Sequence, residues 1–258
     1  LDSGAVGQLV SIQADELVSL RVSSVNFRGP WRRYTALSGG SLLEKCCHDM
    51  DMLNWLAGAR PLHVSSFGGR AVFRTNAFLP DRCDSNCPLH DTCPYYRERK
   101  RMSGFQGIKK MEDSCIFNAG GDVADHQSVQ IAFENDVVCN FMLNFNTEGD
   151  RSARNLHVIG TRGRIWGNMA RKVVMSHDLV SDEITEHPLT VDQSGHGGSN
   201  YTHAMAFLRL VAGLSAQPPA SAYDAYLSAM VCFAADRSRT EKRQIRIRYP
   251  GTRQIEMA

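Results

Sequence analysis

The order of apolar and polar side chains changes period several times along the chain. Residues 8–28 alternate as a half-buried strand does, and Gly29-Pro30 ends that run with a turn. From Ser41 to Leu56 the apolar positions Leu42, Leu43, Cys46, Cys47, Met50 and Leu53 recur every three to four residues. That spacing predicts an amphipathic helix closed by Gly58, with Glu44, His48, Asp51 and Trp55 on its opposite stripe. Residues 62–73 read as another strand. Residues 74–120 lose all periodicity and gather Pro, Asp, Asn and four cysteines, which marks an insertion or long loop. Residues 127–145, centred on Glu134-Asn135-Asp136, predict a hairpin. Two further hairpins are expected between Leu156 and Val191, turning at Thr161-Arg162-Gly163 and near Ser181-Asp182. Helical spacing returns over Tyr201–Leu214 and Ala222–Arg237, the second opened by a capping box of Ser221 and Asp224, and Arg243–Tyr249 makes a last strand.

Many antiparallel-looking strands with a few helices beside them predict an α+β fold, a large open, mainly antiparallel sheet with helices on one face. The second face of such a sheet would leave apolar strand residues in water. Pairing with a second copy, as a dimer or tetramer, is therefore expected.

Composition narrows the class. With 258 residues, 43% of them hydrophobic and 22% charged, the chain is globular. A net charge of +2, from 29 basic against 27 acidic residues, supplies no field to hold a nucleic acid. No apolar stretch approaches the ~20 residues needed to cross a bilayer, and no secretory signal opens the sequence, so a cytoplasmic protein without a membrane partner is expected. The sequence starts at Leu1 and runs almost at once into a strand, so it is expected to be the second part of a longer protein.

Glu44 and His48 lie four apart on the predicted helix, one turn above each other on one face. A carboxylate and an imidazole side by side can move a proton to or from an alcohol oxygen. The plainer alternative is a solvated helix face with an intrahelical pair. The order of residues around this helix, Gly39-Gly40-Ser41-Leu42-Leu43-Glu44-Lys45-Cys46-Cys47-His48-Asp49-Met50-Asp51 with Trp55-Leu56 and Gly58, resembles the Gfo/Idh/MocA family of glucose–fructose oxidoreductase and inositol dehydrogenase. Further stretches are similar in the same order: Ser3-Gly4 with Gly7, Phe27-Arg28-Gly29-Pro30-Trp31, Ser66-Phe67-Gly68-Gly69, Asp125-His126-Gln127, Gly160-Thr161-Arg162-Gly163 and Gly195-His196-Gly197-Gly198. The likeness spans nearly the whole chain.

The resemblance implies an N-terminal Rossmann domain followed by an α+β domain with a large open sheet, of which this chain is the second. It places the family's catalytic acid and histidine on Glu44 and His48; the usual acid there is aspartate, so Glu44 is a departure that lengthens the reach. The family's catalytic lysine belongs to the Rossmann domain; Lys45 is a substrate-binding candidate that could partly replace it, although, one residue from Glu44, it points roughly 100° away around the helix. The implied cofactor is NAD or NADP, held by the other domain, since no G-x-G-x-x-G occurs in this sequence.

Arg28 and Trp31, after the first strand, offer a bidentate donor and an aromatic platform for a sugar, although packing is the commoner use of such a pair. His126 beside Asp125 and His196 at the tip of a glycine-rich loop are the remaining substrate-binding candidates, with structural readings open for both. Cys83, Cys87, Cys93 and Cys115 in the aperiodic segment are a candidate zinc set, against free thiols or disulfides. Cys46, Cys47, Cys139 and Cys232 read as core residues. The expected function is oxidation or reduction of a sugar, polyol or related cyclic alcohol by NAD(P). A transiently oxidising NAD-dependent glycosidase and a non-enzymatic, zinc-stapled pairing module are the alternatives.

Overall fold

The computed structural model describes residues 1, 3–96, 113–147, 154–190, 195–251 and 254–258. The run expected as one strand over residues 8–28 is two elements, strand β1 (Leu9–Ser19) and helix α1 (Leu20–Arg28). The chain changes course at Ser19, whose side chain accepts the Val22 N–H and caps the helix. The Ser23 hydroxyl then donates to the Ser19 and Phe145 carbonyls. Ser23, Ser24, Phe27 and Arg28 are all buried, a set that a strand's alternation could not have put on one side.

A short turn of helix, α2 (Thr35–Ser38), precedes the long helix α3 (Ser41–Ala57), which Gly58 closes in the left-handed conformation as expected. Leu42, Cys46, Met50 and Leu53 are completely buried. Both glycines before α3 take positive φ, and a Cβ on Gly40 would overlap the Asp236 carboxylate.

Strands β2 (Pro61–Gly69), β3 (His126–Phe133) and β4 (Val138–Thr147) follow, then β5 (Arg154–Gly160), β6 (Gly163–Asn168), β7 (Val173–Asp178) and β8 (Glu183–Pro188). Helix α4 (Ser199–Val211) and helix α5 (Ala222–Glu241) come next, α5 opened by the Ser221/Asp224 capping box that the sequence predicts. Strands β9 (Ile245–Gly251) and β10 (Gln254–Met257) end the chain. They form one ten-stranded sheet in the order β10-β9-β2-β3-β4-β1-β5-β6-β7-β8, antiparallel throughout except for the parallel pair β1–β4.

Helices α1, α3 and α5 lie on one face of the strands from β9 to β1. On that side sit Ile12 and Val18 of β1, Val129 and Ile131 of β3 and Phe141, Leu143 and Phe145 of β4, all buried with the helix residues in a single core. The opposite face is a broad open trough of about 1270 Å³, lined by Gln13, Asp15, Asn140, Met142, His157 and Trp166 among others. It mixes polar and apolar side chains. No helix among the described residues is long and apolar enough to cross a membrane.

Candidate active site

Helix α3 sets the site. Lys45, His48 and Asp49 occupy neighbouring positions on consecutive turns, and the helix rests against β1 and β4. The β1–β5 register places Glu16 directly opposite Arg154 on the helix-bearing face, beneath those three residues. Lys45 Nζ lies 2.6 Å from Glu16 Oε1, and Arg154 Nε lies 2.9 Å from Glu16 Oε2. Arg154 also donates from Nε to Asp49 Oδ1 and from Nη2 to Asp49 Oδ2 at 3.3 Å, and its Nη2 meets His48 Nε2. Glu16 and Asp49 are buried, while the His48 side chain is 55% exposed.

Burial pulls His48 below its ordinary value of 6.5; Arg154 and Lys45 push the same way, against Asp49 and Glu16. The imidazole is therefore held neutral near pH 7, the state in which it can exchange a proton or offer one N–H. A cavity of about 330 Å³ adjoins the cluster, walled by Glu16, Lys45, Arg154, Val22 and the Met169-Ala170 turn.

Glu44 shares the helix face of His48 but takes a different partner. Its carboxylate accepts from Arg32 Nε, and the Arg32 guanidinium lies over the Trp31 ring, 4.4 Å from the centroid. Trp31 is thus partly exposed and stacked by a cation, still with a free portion of surface. The i, i+4 spacing brings Glu44 and His48 to one face without joining them to each other.

The other candidates fall elsewhere. Arg28 is wholly buried and donates to the Ser114 carbonyl at 2.9 Å, the Tyr95 carbonyl at 3.5 Å and Cys83 Sγ at 3.4 Å. A guanidinium spent on the protein's own carbonyls cannot face a sugar, which corrects its reading as a substrate donor. His126 opens β3 with Nδ1 donating to Asp125 Oδ1 at 2.8 Å, and Asp125 also accepts the Ala71, Val72 and Phe73 N–H groups. Burial alone would raise the Asp125 carboxyl, but these four donors hold it below its ordinary value of 3.8. His126 is half exposed and oriented toward that structural carboxylate. His196 belongs to the 3-10 turn Gly195–Gly198 before α4, and its side chain lies outside the described residues.

Cys83, Cys87, Cys93 and Cys115 carry free thiols, and among the described residues no three or more His, Cys, Asp or Glu side chains group as metal ligands. The zinc staple thus finds no support. The aperiodic segment is organised instead by Arg28 and by aromatic contacts, with the Phe73 ring 4.3 Å from Phe27 and 5.2 Å from Tyr95. Cys46, Cys139 and Cys232 are core residues as expected, whereas Cys47 is only partly buried.

Sequence reasoning missed Arg32, Glu16, Asp49 and Arg154 as members of the site. Asp49 stood inside the recognised motif; Arg154 is 106 residues from His48 and comes to it only through strand register.

With this geometry in place, the class is defined by comparison. The family model for the GFO/IDH/MocA C-terminal domain matches residues 1–166, and the chain belongs to that family. It is 24% identical to the Bacillus subtilis (strain 168) protein named "Putative oxidoreductase YteT", covering 64% of this chain and 43% of that protein. Levoglucosan dehydrogenase in its apo form superposes with a TM-score of 0.70 at 17% identity, over 97% of this chain and 62% of that one. An oxidoreductase domain protein from Kribbella flavida gives 0.69 at 14% identity, over 96% and 62%. The chain therefore spans less than half of the curated relative and about three-fifths of the solved structures, and its fold is that of their C-terminal domain.

Proposed function

We propose that this chain is the substrate-side domain of an NAD(P)-dependent oxidoreductase acting on a sugar, polyol or related cyclic alcohol. The observation that carries the reading is the half-exposed, neutral imidazole of His48, held from behind by Arg154 and Asp49, one turn beyond Glu44. The levoglucosan dehydrogenases of the same fold include complexes with NADH together with levoglucosan or L-sorbose, which supports both the cofactor and the substrate class.

A nicotinamide supplies hydride exchange when bound. The residues here do the rest: His48 meets the substrate oxygen, Glu44 with Arg32 borders it, and Trp31 offers an aromatic surface. Among the described residues, Glu44 is paired with Arg32, and Glu16 and Asp49 are paired with Lys45 and Arg154. None of these three cations is left over for a carboxylate or phosphate, which favours an uncharged polyhydroxylated substrate. This chain has no glycine-rich cradle for the dinucleotide phosphates, so the cofactor is held chiefly by another domain.

The open sheet face is the surface we assign to pairing with a second copy. Val10, Val138 and Met142 are each more than two-fifths exposed there. The decisive experiment is an assay of the complete protein for NAD or NADP reduction across neutral sugars and polyols. Absence of turnover with every alcohol, but release of a leaving group from glycosides, would move the function to a transiently oxidising glycosidase.

A further inference from the structure

Arg154 meets a carboxylate from β1, a carboxylate from α3 and the imidazole of α3 at once. A guanidinium stays protonated at any ordinary pH and carries donors only. The imidazole nitrogen it meets must therefore offer a lone pair. Asp49 alone would favour the reverse, because its Oδ2 lies 3.3 Å from His48 Nε2 and would draw a proton onto that nitrogen. Arg154 donates to both Asp49 oxygens, however, and its Nε and Lys45 Nζ lie 2.9 and 2.6 Å from the two Glu16 oxygens. Among the described charged groups that act most on His48, Glu16 and Asp49 are thus balanced by Lys45 and Arg154, so a positive charge on His48 would exceed the carboxylates there. The other ring nitrogen, Nδ1, has no hydrogen-bond partner among the described residues.

We propose that Arg154 is a positioning residue that fixes His48 as the Nδ1–H tautomer, so that the free edge of the ring meets a substrate oxygen as a hydrogen-bond donor. The functional consequence rests on the oxidoreductase reading above. His48 orients the reacting oxygen, and since Nδ1 already holds its proton, the proton that an alcohol loses passes to a different group. The burial, Arg154 and Lys45 effects that keep His48 uncharged point the same way, with Asp49 and Glu16 opposing.

Nitrogen-15 NMR of the chain tests this directly, because long-range proton–nitrogen correlations report the tautomer of each of the nine histidines and His48→Gln identifies the His48 signals by their loss. The expected spectrum at pH 7 shows a neutral ring protonated on Nδ1. In Arg154→Gln the proton should move to Nε2, facing Asp49, and the titration midpoint should rise once the cation is gone. A wild-type ring protonated on Nε2, or a tautomer and midpoint unchanged in Arg154→Gln, overturns the proposal. If that variant does not fold, the wild-type tautomer alone decides. The spectrum needs neither cofactor nor substrate, so its failure is separate from that of the oxidoreductase reading, which turnover tests.

Discussion

Glu16 and Arg154 face each other across the antiparallel β1–β5 pair, 2.9 Å apart, with Glu16 only 5% exposed. A buried carboxylate is tolerable there because Arg154 from the sheet and Lys45 from the helix both pair with it. Through Lys45 and Asp49 these two residues join the sheet to the helix that bears the candidate site, so stability and site geometry depend on the same contacts.

Glu16→Gln should therefore cost on the order of 2–4 kcal/mol, because it leaves Lys45 and half of Arg154 without their anion in a poorly solvated place. Urea unfolding monitored by circular dichroism would measure it. A loss below about 0.5 kcal/mol would mean that the cluster is solvated enough to behave as a surface pair.

The Asp125 carboxylate makes a prediction about acid. Its folded value lies below 3.8 through the His126 and backbone donors, so its contribution is fully present above that pH and is lost as pH falls through the folded value. Asp125→Asn should destabilise the chain by about 2–3 kcal/mol at pH 7, since an amide offers one acceptor where three N–H groups converge. The gap between variant and wild type should close as pH drops below 3.8. A gap independent of pH across that window would assign the loss to packing.

Helix α3, its closure at Gly58, the β3–β4 hairpin and the capping box of α5 were legible because each is written in local spacing. The division of residues 8–28 was not. A helix of Leu20, Val22, Val25 and Phe27 and a strand of alternating apolar positions read alike over so few residues, and only burial of Arg28 and the Ser19 cap decide between them. The site was half legible for the same reason. Spacing shows that Glu44 and His48 share a face, but their partners Arg32 and Arg154 arrive from a loop and from a distant strand, and pairing order within a sheet has no local signature.

Gly40→Ala should damage the start of α3. Its φ of 95° disfavours any side chain, and the added methyl would press on the Asp236 carboxylate. A loss of about 2–3 kcal/mol is expected. The melting temperature checks it, and Gly40→Ala combined with Asp236→Ala should recover the steric part and leave the backbone part.

Arg28→Met should loosen the segment around Ser114 and Tyr95, because three acceptors lose their donor in a dry interior. Hydrogen exchange and limited proteolysis should show increased opening of residues 81–96 and 113–117, with α3 protected as before. Unchanged protection in that segment would show that the aromatic contacts suffice to hold it.

On the oxidoreductase reading, His48→Ala in the complete protein should lower turnover by ~10²–10³, about 3–4 kcal/mol of barrier for one lost hydrogen-bond donor to the reacting oxygen, while costing little stability, because more than half of the side chain is exposed. Glu44→Gln should be milder. The carboxylate is already paired with Arg32, so its first effect is to release that guanidinium from Trp31 and alter substrate binding, which appears in KM. Since the two side chains have separate partners, their losses should add in the double variant, within about 0.5 kcal/mol. A double variant no worse than His48→Ala would show that the two side chains act as a unit. Near-normal turnover in His48→Ala with a melting temperature several degrees lower would make His48 a packing residue and remove it from the site.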